Sequence, residues 1–178
     1  MLGDPNFDRS VVLMVDHSAE GALGVVLNRP TELEVESVLG RWSSLAARPQ
    51  VLYLGGPVEQ DGVLALARRR GRAGGGRALD ERLAGWSAVV GDVGTIDLQL
   101  DPAALAPDLA GVRFFAGYSG WGPGQLESEL DEGAWLVVDA RADDVFADHP
   151  GAMWRSVLRR QQGKVSMLAN FPAHPSMN

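Results

Sequence analysis

No cysteine occurs in the 178 residues. That absence removes disulfides, iron–sulfur clusters, thiolate zinc sites and thiol nucleophiles together. Long apolar runs are missing as well: the best, Ala22 to Leu27, has six residues, against the roughly 20 that span a bilayer as a helix. The opening Met1-Leu2-Gly3-Asp4-Pro5 has neither a basic region nor an apolar stretch, so it does not read as a secretory signal. A cytoplasmic location without a membrane partner is the expectation. Lysine is nearly absent, with Lys164 alone against 15 arginines; the skew reads as GC-rich coding before it reads as function. Positive charge is short overall, the net being −7, so a nucleic-acid role would need a local basic patch.

What the chain does have is 46% hydrophobic and 22% charged residues, enough for one buried core and too little for two ordinary domains. No internal repeat and no long linker divides it, so a single domain over 1–178 is expected. Val11 to Val15 and Ala22 to Leu27 read as a strand–turn–strand unit ended by Pro30, apolar on successive positions as strands buried on two faces are. Val35, Val38, Leu39 and Trp42 share one face of a helix that stops before Pro49. Val51 to Leu54 is a strand closed by Gly55-Gly56-Pro57, with Val63 to Leu66 as its neighbour and a further strand around Ser87 to Val90. Asp101-Pro102 starts a helix to about Leu109, and Val112 to Tyr118 is the next strand. The loop Ser119 to Gly124 leads into a helix over Gln125 to Glu132, capped by Gly133. Ala134 to Val138 reads as a strand, Asp143 to Phe146 as a short helical turn, Trp154 to Gln162 as an amphipathic helix and Phe171 to Asn178 as an extended tail. About seven strands and four helices, irregularly interleaved, make an α+β or mixed α/β domain.

The candidate sites each carry two readings. In Gly117-Tyr118-Ser119-Gly120-Trp121 the serine stands where a nucleophile elbow would place it, but Trp121 takes the position of the last elbow glycine. An acid from Asp139, Asp143 or Asp144, then His149 or His174, would complete a hydrolase order; otherwise the glycines serve the turn and Trp121 fills the core. Asn28 and Arg29 stand at a strand end, where the guanidinium could clamp an anion or bind Glu127, Glu129 or main-chain carbonyls internally. Gly55-Gly56-Pro57 has the glycine content of a phosphate loop without its spacing or its lysine. Gln125 and Glu129 share a helix face, whereas Glu127 and Glu129 diverge, which favours a hydrogen-bonding face over an acid/base dyad. Arg68 to Arg77 holds five arginines among glycines and no aromatics for base stacking, so it reads as a solvated loop before it reads as a nucleic-acid patch. His17, His149 and His174 are too scattered for a metal site, and no metal or cofactor is expected.

Several short motifs stand in a fixed order. Asp4-Pro5-Asn6-Phe7 with Ser10-Val11-Val12 comes first, then His17, Gly21-Ala22-Leu23-Gly24 and Asn28-Arg29-Pro30. Gly55-Gly56-Pro57-Val58, Gly117 to Trp121, Gly124-Gln125-Leu126-Glu127 with Glu129, and Trp135 follow. The set resembles the AlgH/YqgE family of bacterial proteins along nearly the whole chain, and the arginine content suggests an actinobacterial member. The resemblance implies a bifurcated mixed β-sheet folded into a pseudo-barrel with about four surrounding helices. It also implies a regulatory role, since the family is linked genetically to exopolysaccharide control. The family commonly has alanine at Ser119, and a histidine where this chain has Leu66-Ala67. Its members carry an apolar strand before the Asp-Pro motif, where only Met1 to Gly3 stand here. Either the start is misassigned or that strand is missing, and an exposed sheet edge is expected.

The combined expectation is a non-enzymatic cytoplasmic binding or regulatory protein. Asn28, Arg29, Gly55, Gly56, Pro57, Tyr118, Ser119, Gly120, Trp121, Gln125, Glu127 and Glu129 are expected to form one cleft for a small molecule or a protein partner. The alternatives are hydrolysis at Ser119 or direct DNA binding through Arg68 to Arg77.

Overall fold

The computed structural model describes residues 7–71 and 85–170. Eight strands form the sheet: β1 (Val12–Ser18), β2 (Gly21–Val26), β3 (Pro30–Glu34), β4 (Val51–Leu54), β5 (Val58–Arg69), β6 (Trp86–Val90), β7 (Val93–Ile96) and β8 (Leu109–Trp121). Among the described residues six short helices surround it: α1 (Val35–Leu39), α2 (Pro102–Leu105), α3 (Gln125–Asp131), α4 (Ala142–Val145), α5 (Met153–Arg159) and α6 (Lys164–Leu168). Two 3-10 turns, Gly40–Leu45 and Pro150–Ala152, complete the list. The main path runs β1-β2-β8-β5-β7-β6, and its end strands β1 and β6 approach each other, so the sheet curls into a pseudo-barrel. This is the expected α+β architecture.

The central strands are β5 and β8, and their side chains alternate between two cores. Ala65, Ala67, Val112 and Phe114 join Trp42, Leu52 and Leu109 on one face. Leu66 and Phe115 join Val25, Leu27, Tyr53 and Val157 on the other. Burial on both faces explains why these strands read as continuous apolar runs.

β8 also divides the sheet. Along one edge it pairs with β5 from Leu109 to Tyr118, with the register shifting between Val58 and Val63. Along the other, Phe115 and Ala116 pair in parallel with β4, while Ser119 to Trp121 pair antiparallel with β2. Gly117 and Tyr118 mark the division, and β3 hangs on the far side of β4.

Several expectations are corrected. The neighbour of β4 is β8, not the Val63 to Leu66 strand, because β8 lies between them. Pro30 does not end β2, which stops at Val26; it opens the edge strand β3, a position where a missing amide hydrogen is harmless. The helix expected from Val35 breaks at Leu39 (φ −129, ψ 46) beside Gly40 and continues as a 3-10 turn, leaving Val38 46% exposed. The Asp101-Pro102 start is correct, with the Asp101 side chain accepting from Ala103 N at 3.1 Å, but the helix ends at Leu105 and Leu109 already belongs to β8. Ser119 to Trp121 are strand, not loop. Ala134 to Val138 pair with no described strand: side chains set their course instead, Trp135 bonding Glu129 and Arg160 holding the Asp139 carbonyl. The tail Phe171 to Asn178 lies outside the described residues. Among the described residues no helix is long and apolar enough to cross a membrane.

Candidate functional site

The fork in the sheet is where three of the sequence motifs meet. Gly55 N donates to Ala116 O at 2.9 Å, and Gly55 O accepts from both Val26 N (2.8 Å) and Ser119 Oγ (3.2 Å). One residue, at the end of β4, therefore ties β2, β4 and β8 together. At Gly56 (φ 158) a Cβ would stand 2.2 Å from the Tyr118 carbonyl, and at Gly117 (φ 68) one would stand 2.7 Å from the Val58 carbonyl. The close approach of two backbones is the reason for glycine here. Gln60 Nε2 donates to Gly56 O at 3.4 Å, and Val58 pairs with Tyr118. Beside them Val26, Arg29, Leu54, Gly56, Pro57 and Gln60 line a dimple of about 10 Å³, room for about one water.

Asn28 and Arg29 reach toward the chain entering β1. The Asn28 carboxamide accepts from Val11 N at 3.0 Å and donates to Arg9 O at 2.9 Å. Arg29 Nη2 donates to Asp8 O at 3.3 Å, so the guanidinium takes the main-chain carbonyl option rather than Glu127 or Glu129.

The α3 side of the fork is built around one carboxylate. Glu129 Oε2 accepts from Trp135 Nε1 at 2.7 Å and Trp121 Nε1 at 2.9 Å, and its Oε1 accepts from Gln125 Nε2 at 3.0 Å. Gln125 in turn accepts from Gly122 N at 3.1 Å, which fixes the turn between β8 and α3. Phe7 packs edge-on to Trp135 with centroids 5.3 Å apart and stacks on Trp121 at 6.4 Å, closing an aromatic cluster over the carboxylate. Burial pushes the Glu129 pKa up, but the bonds from Trp135, Trp121 and Gln125 outweigh it and hold the carboxyl below its ordinary value. Gly133 (φ 72) closes α3: its N–H bonds Leu130 O at 2.9 Å and Ala134 N bonds Glu129 O at 2.9 Å, which aims Trp135 back at the carboxylate.

On the opposite face of α3, Glu127 Oε1 meets His17 Nε2 of β1 at 2.5 Å. The main-chain N–H of Glu127, and then His17, hold this carboxyl below its ordinary value.

The twelve expected residues thus fall into linked groups. Gly55, Gly56, Pro57, Tyr118 and Ser119 meet at the fork; Trp121, Gln125 and Glu129 meet in the carboxylate cluster, adjoined by exposed Gly120; Glu127 faces β1; Asn28 and Arg29 hold residues 8–11. The shared face of Gln125 and Glu129 is the hydrogen-bonding arrangement expected of them. Phe7, His17 and Trp135 belong with the site although spacing alone did not include them. Their signal was present only as members of the motif set.

The alternatives find little geometry. Ser119 is 1% exposed and donates to a main-chain carbonyl. Of its candidate acids, Asp143 pairs with Arg68 at 2.7 Å and Asp144 takes both nitrogens of Arg160 at 2.5 Å, while His174 lies outside the described residues. In the arginine stretch, Arg68 bonds Asp143 and stacks on Phe146, Arg69 lies over Trp86, and Arg70 Nε donates to Leu109 O at 2.7 Å. Arg72 and Arg77 lie outside the described residues. No group of three metal-ligating side chains gathers among the described residues.

One buried group was not anticipated. Arg113, 2% exposed on β8, donates through Nη1 to the Tyr53 hydroxyl and through Nη2 to Arg48 O at 2.5 Å, with the Tyr53 ring 4.5 Å and the Phe146 ring 6.0 Å from its guanidinium carbon. Its Nε has no partner among the described residues. Burial pushes its pKa down, partly countered by Tyr53 and Asp148, and burial pushes the Tyr53 phenol up.

Comparison with known proteins places this architecture. A family model described as AlgH-like matches residues 1–166. A UPF0301 protein of Streptomyces coelicolor is 51% identical over 177 residues, covering 99% of this chain and 90% of that one. A UPF0301 protein of Rhodococcus jostii is 46% identical, covering 99% and 86% respectively. Among solved structures, protein DIP2367 of Corynebacterium diphtheriae superposes with a TM-score of 0.86 at 32% identity, covering 96% of this chain and 86% of that chain. The AlgH protein of Pseudomonas aeruginosa gives 0.66 at 27% identity, covering 97% and 89%.

Proposed function

This chain belongs to the AlgH-like family, and from that premise we propose that it is a non-enzymatic cytoplasmic regulator that binds a protein partner across the fork of its sheet. The contact surface comprises Arg29, Pro57, Tyr118, Gly120 and the exposed side of α3. The observation that carries the reading is the commitment of the polar motif side chains to the protein's own frame. Ser119 donates to Gly55 O, Asn28 clamps residues 9 and 11, and Glu129 receives three donors. Such groups shape a surface and are poorly placed to act as nucleophile or base. A dimple of about 10 Å³ is also far below the roughly 300 Å³ at which small-molecule pockets begin, which favours a macromolecule.

Native mass spectrometry of gently purified protein, with and without short duplex DNA, tests this. A co-purifying polypeptide that a Pro57→Glu variant releases is the expected result. A stoichiometric small molecule would replace the partner by a ligand. A DNA complex that dissolves with rising salt would move the function to the arginine stretch.

A further inference from the structure

On the far side of β4 the molecule offers a different surface. β3 pairs with β4 alone, and no described strand runs along its other side. Its pairing holds at the two ends, Pro30 with Tyr53 and Glu34 with Val51, and is irregular between them. There Thr31 Oγ1 substitutes for the ladder, donating to Leu52 O at 2.8 Å and accepting from Leu33 N at 3.1 Å. Four of the five strand residues are exposed, Leu33 to 48%, and Val38 of α1 adds a second apolar side chain at 46%. A sheet edge so open is a template for another strand. At its C-terminal end the strand opens on a groove of about 420 Å³ lined by Glu34, Glu36, Ser43, Ser44, Gln50 and Val51.

Charge selects the occupant. Glu32, Glu34 and Glu36 are exposed and take part in no ion pair among the described residues. A second copy is disfavoured, because antiparallel pairing of β3 with itself sets glutamates beside glutamates on a molecule of net charge −7. Nucleic acid is repelled for the same reason. We propose that the outer side of β3 is a docking edge for an extended, basic segment of a partner protein, which adds as a strand beside Pro30–Glu34, covers Leu33 and Val38, and sends a cation into the Glu34/Glu36 groove. Main-chain bonds would supply affinity, and alternate side chains the selectivity. The proposal stands on residues other than those of the fork and does not depend on that reading.

The probe is a fluorescent heptapeptide of alternating lysine and valine, measured by anisotropy against the whole chain, beside its glutamate–valine counterpart. The lysine–valine peptide is expected to bind, to weaken as salt is added, and to slow amide exchange across residues 31–39; the glutamate–valine peptide is expected not to bind. The double variant Glu34→Gln/Glu36→Gln should lose about tenfold in affinity with its melting temperature unchanged. Leu33→Asp, on an exposed position, should weaken binding as well. Equal binding of the two peptides, no binding at millimolar peptide, protection elsewhere on the molecule, or full affinity in the double variant would each overturn the proposal. So would a concentration-dependent dimer in sedimentation that Leu33→Asp dissolves, since the edge would then belong to a second copy.

Discussion

Glu129 and Arg113 are two charged groups held at different depths beside the same strand, and the protein provides for them unequally. The carboxylate sits at the C-terminal end of β8 among neutral donors, with two indoles and a carboxamide filling three of its lone-pair directions. The guanidinium sits near the middle of β8, almost wholly buried, with two oxygen acceptors, two ring faces and an Nε that bonds nothing among the described residues. Asp148 adds a favourable field without reaching salt-bridge distance. A charge with its bonds filled acts as a pin for the elements that supply them. A buried charge short of partners is one that an apolar side chain of similar volume can often replace without loss.

The sharpest way to break this comparison is at the pin. Glu129→Leu should cost about 3 kcal/mol in urea unfolding, since three donors lose a charged acceptor at once, and it should shift tryptophan emission to the red as Trp121 and Trp135 loosen. A loss below about 1 kcal/mol would mean that the carboxylate is no better than a surface ion. Next, Arg113→Met combined with Tyr53→Phe should leave stability unchanged or raise it by about 1–2 kcal/mol. A large loss in the same measurement would show that the guanidinium is better served than its bonds suggest.

Acid unfolding sharpens the contrast further. The Glu129 pKa is lower in the folded protein than in the unfolded chain. Its contribution is therefore complete above the unfolded value of about 4.3 and disappears as pH falls through the folded value. Glu129→Gln should remove that part of the acid limb, leaving stability less dependent on pH below about 4.3. The smallest effect belongs to Glu127→Gln: its carboxylate and His17 are each about half exposed, where solvent screens the pair, so the unfolding midpoint should not move measurably.

Glycines at 55, 56 and 117 and a proline at 57 were legible as turn positions because that demand is local. The strands β1, β2 and β4 were legible as apolar runs for the same reason. The fork where the glycines meet was implied only by the family resemblance, since Gly56 approaches Tyr118 and Gly117 approaches Val58 from far along the chain. What could not be read was any element whose course depends on a partner far along the chain. Ala134 to Val138 have the composition of a strand, yet the indole of Trp135 answers to Glu129 and the segment joins no described ladder. β3 escaped notice because an edge strand exposed on both faces leaves no alternation to detect. Arg113, flanked by Val112 and Phe114, gave no sign that its side chain would lie over Tyr53.

The division of β8 also bears on how the protein opens. β5 holds one edge of that strand, and β4 and β2 share the other, so neither half of the barrel can separate while β8 stays in register. The amides of residues 112–118 should therefore exchange with solvent only when the whole molecule unfolds, as one cooperative unit. β3, attached through β4 alone, can detach and return without disturbing that unit, which leaves the rim free to breathe around a rigid stave.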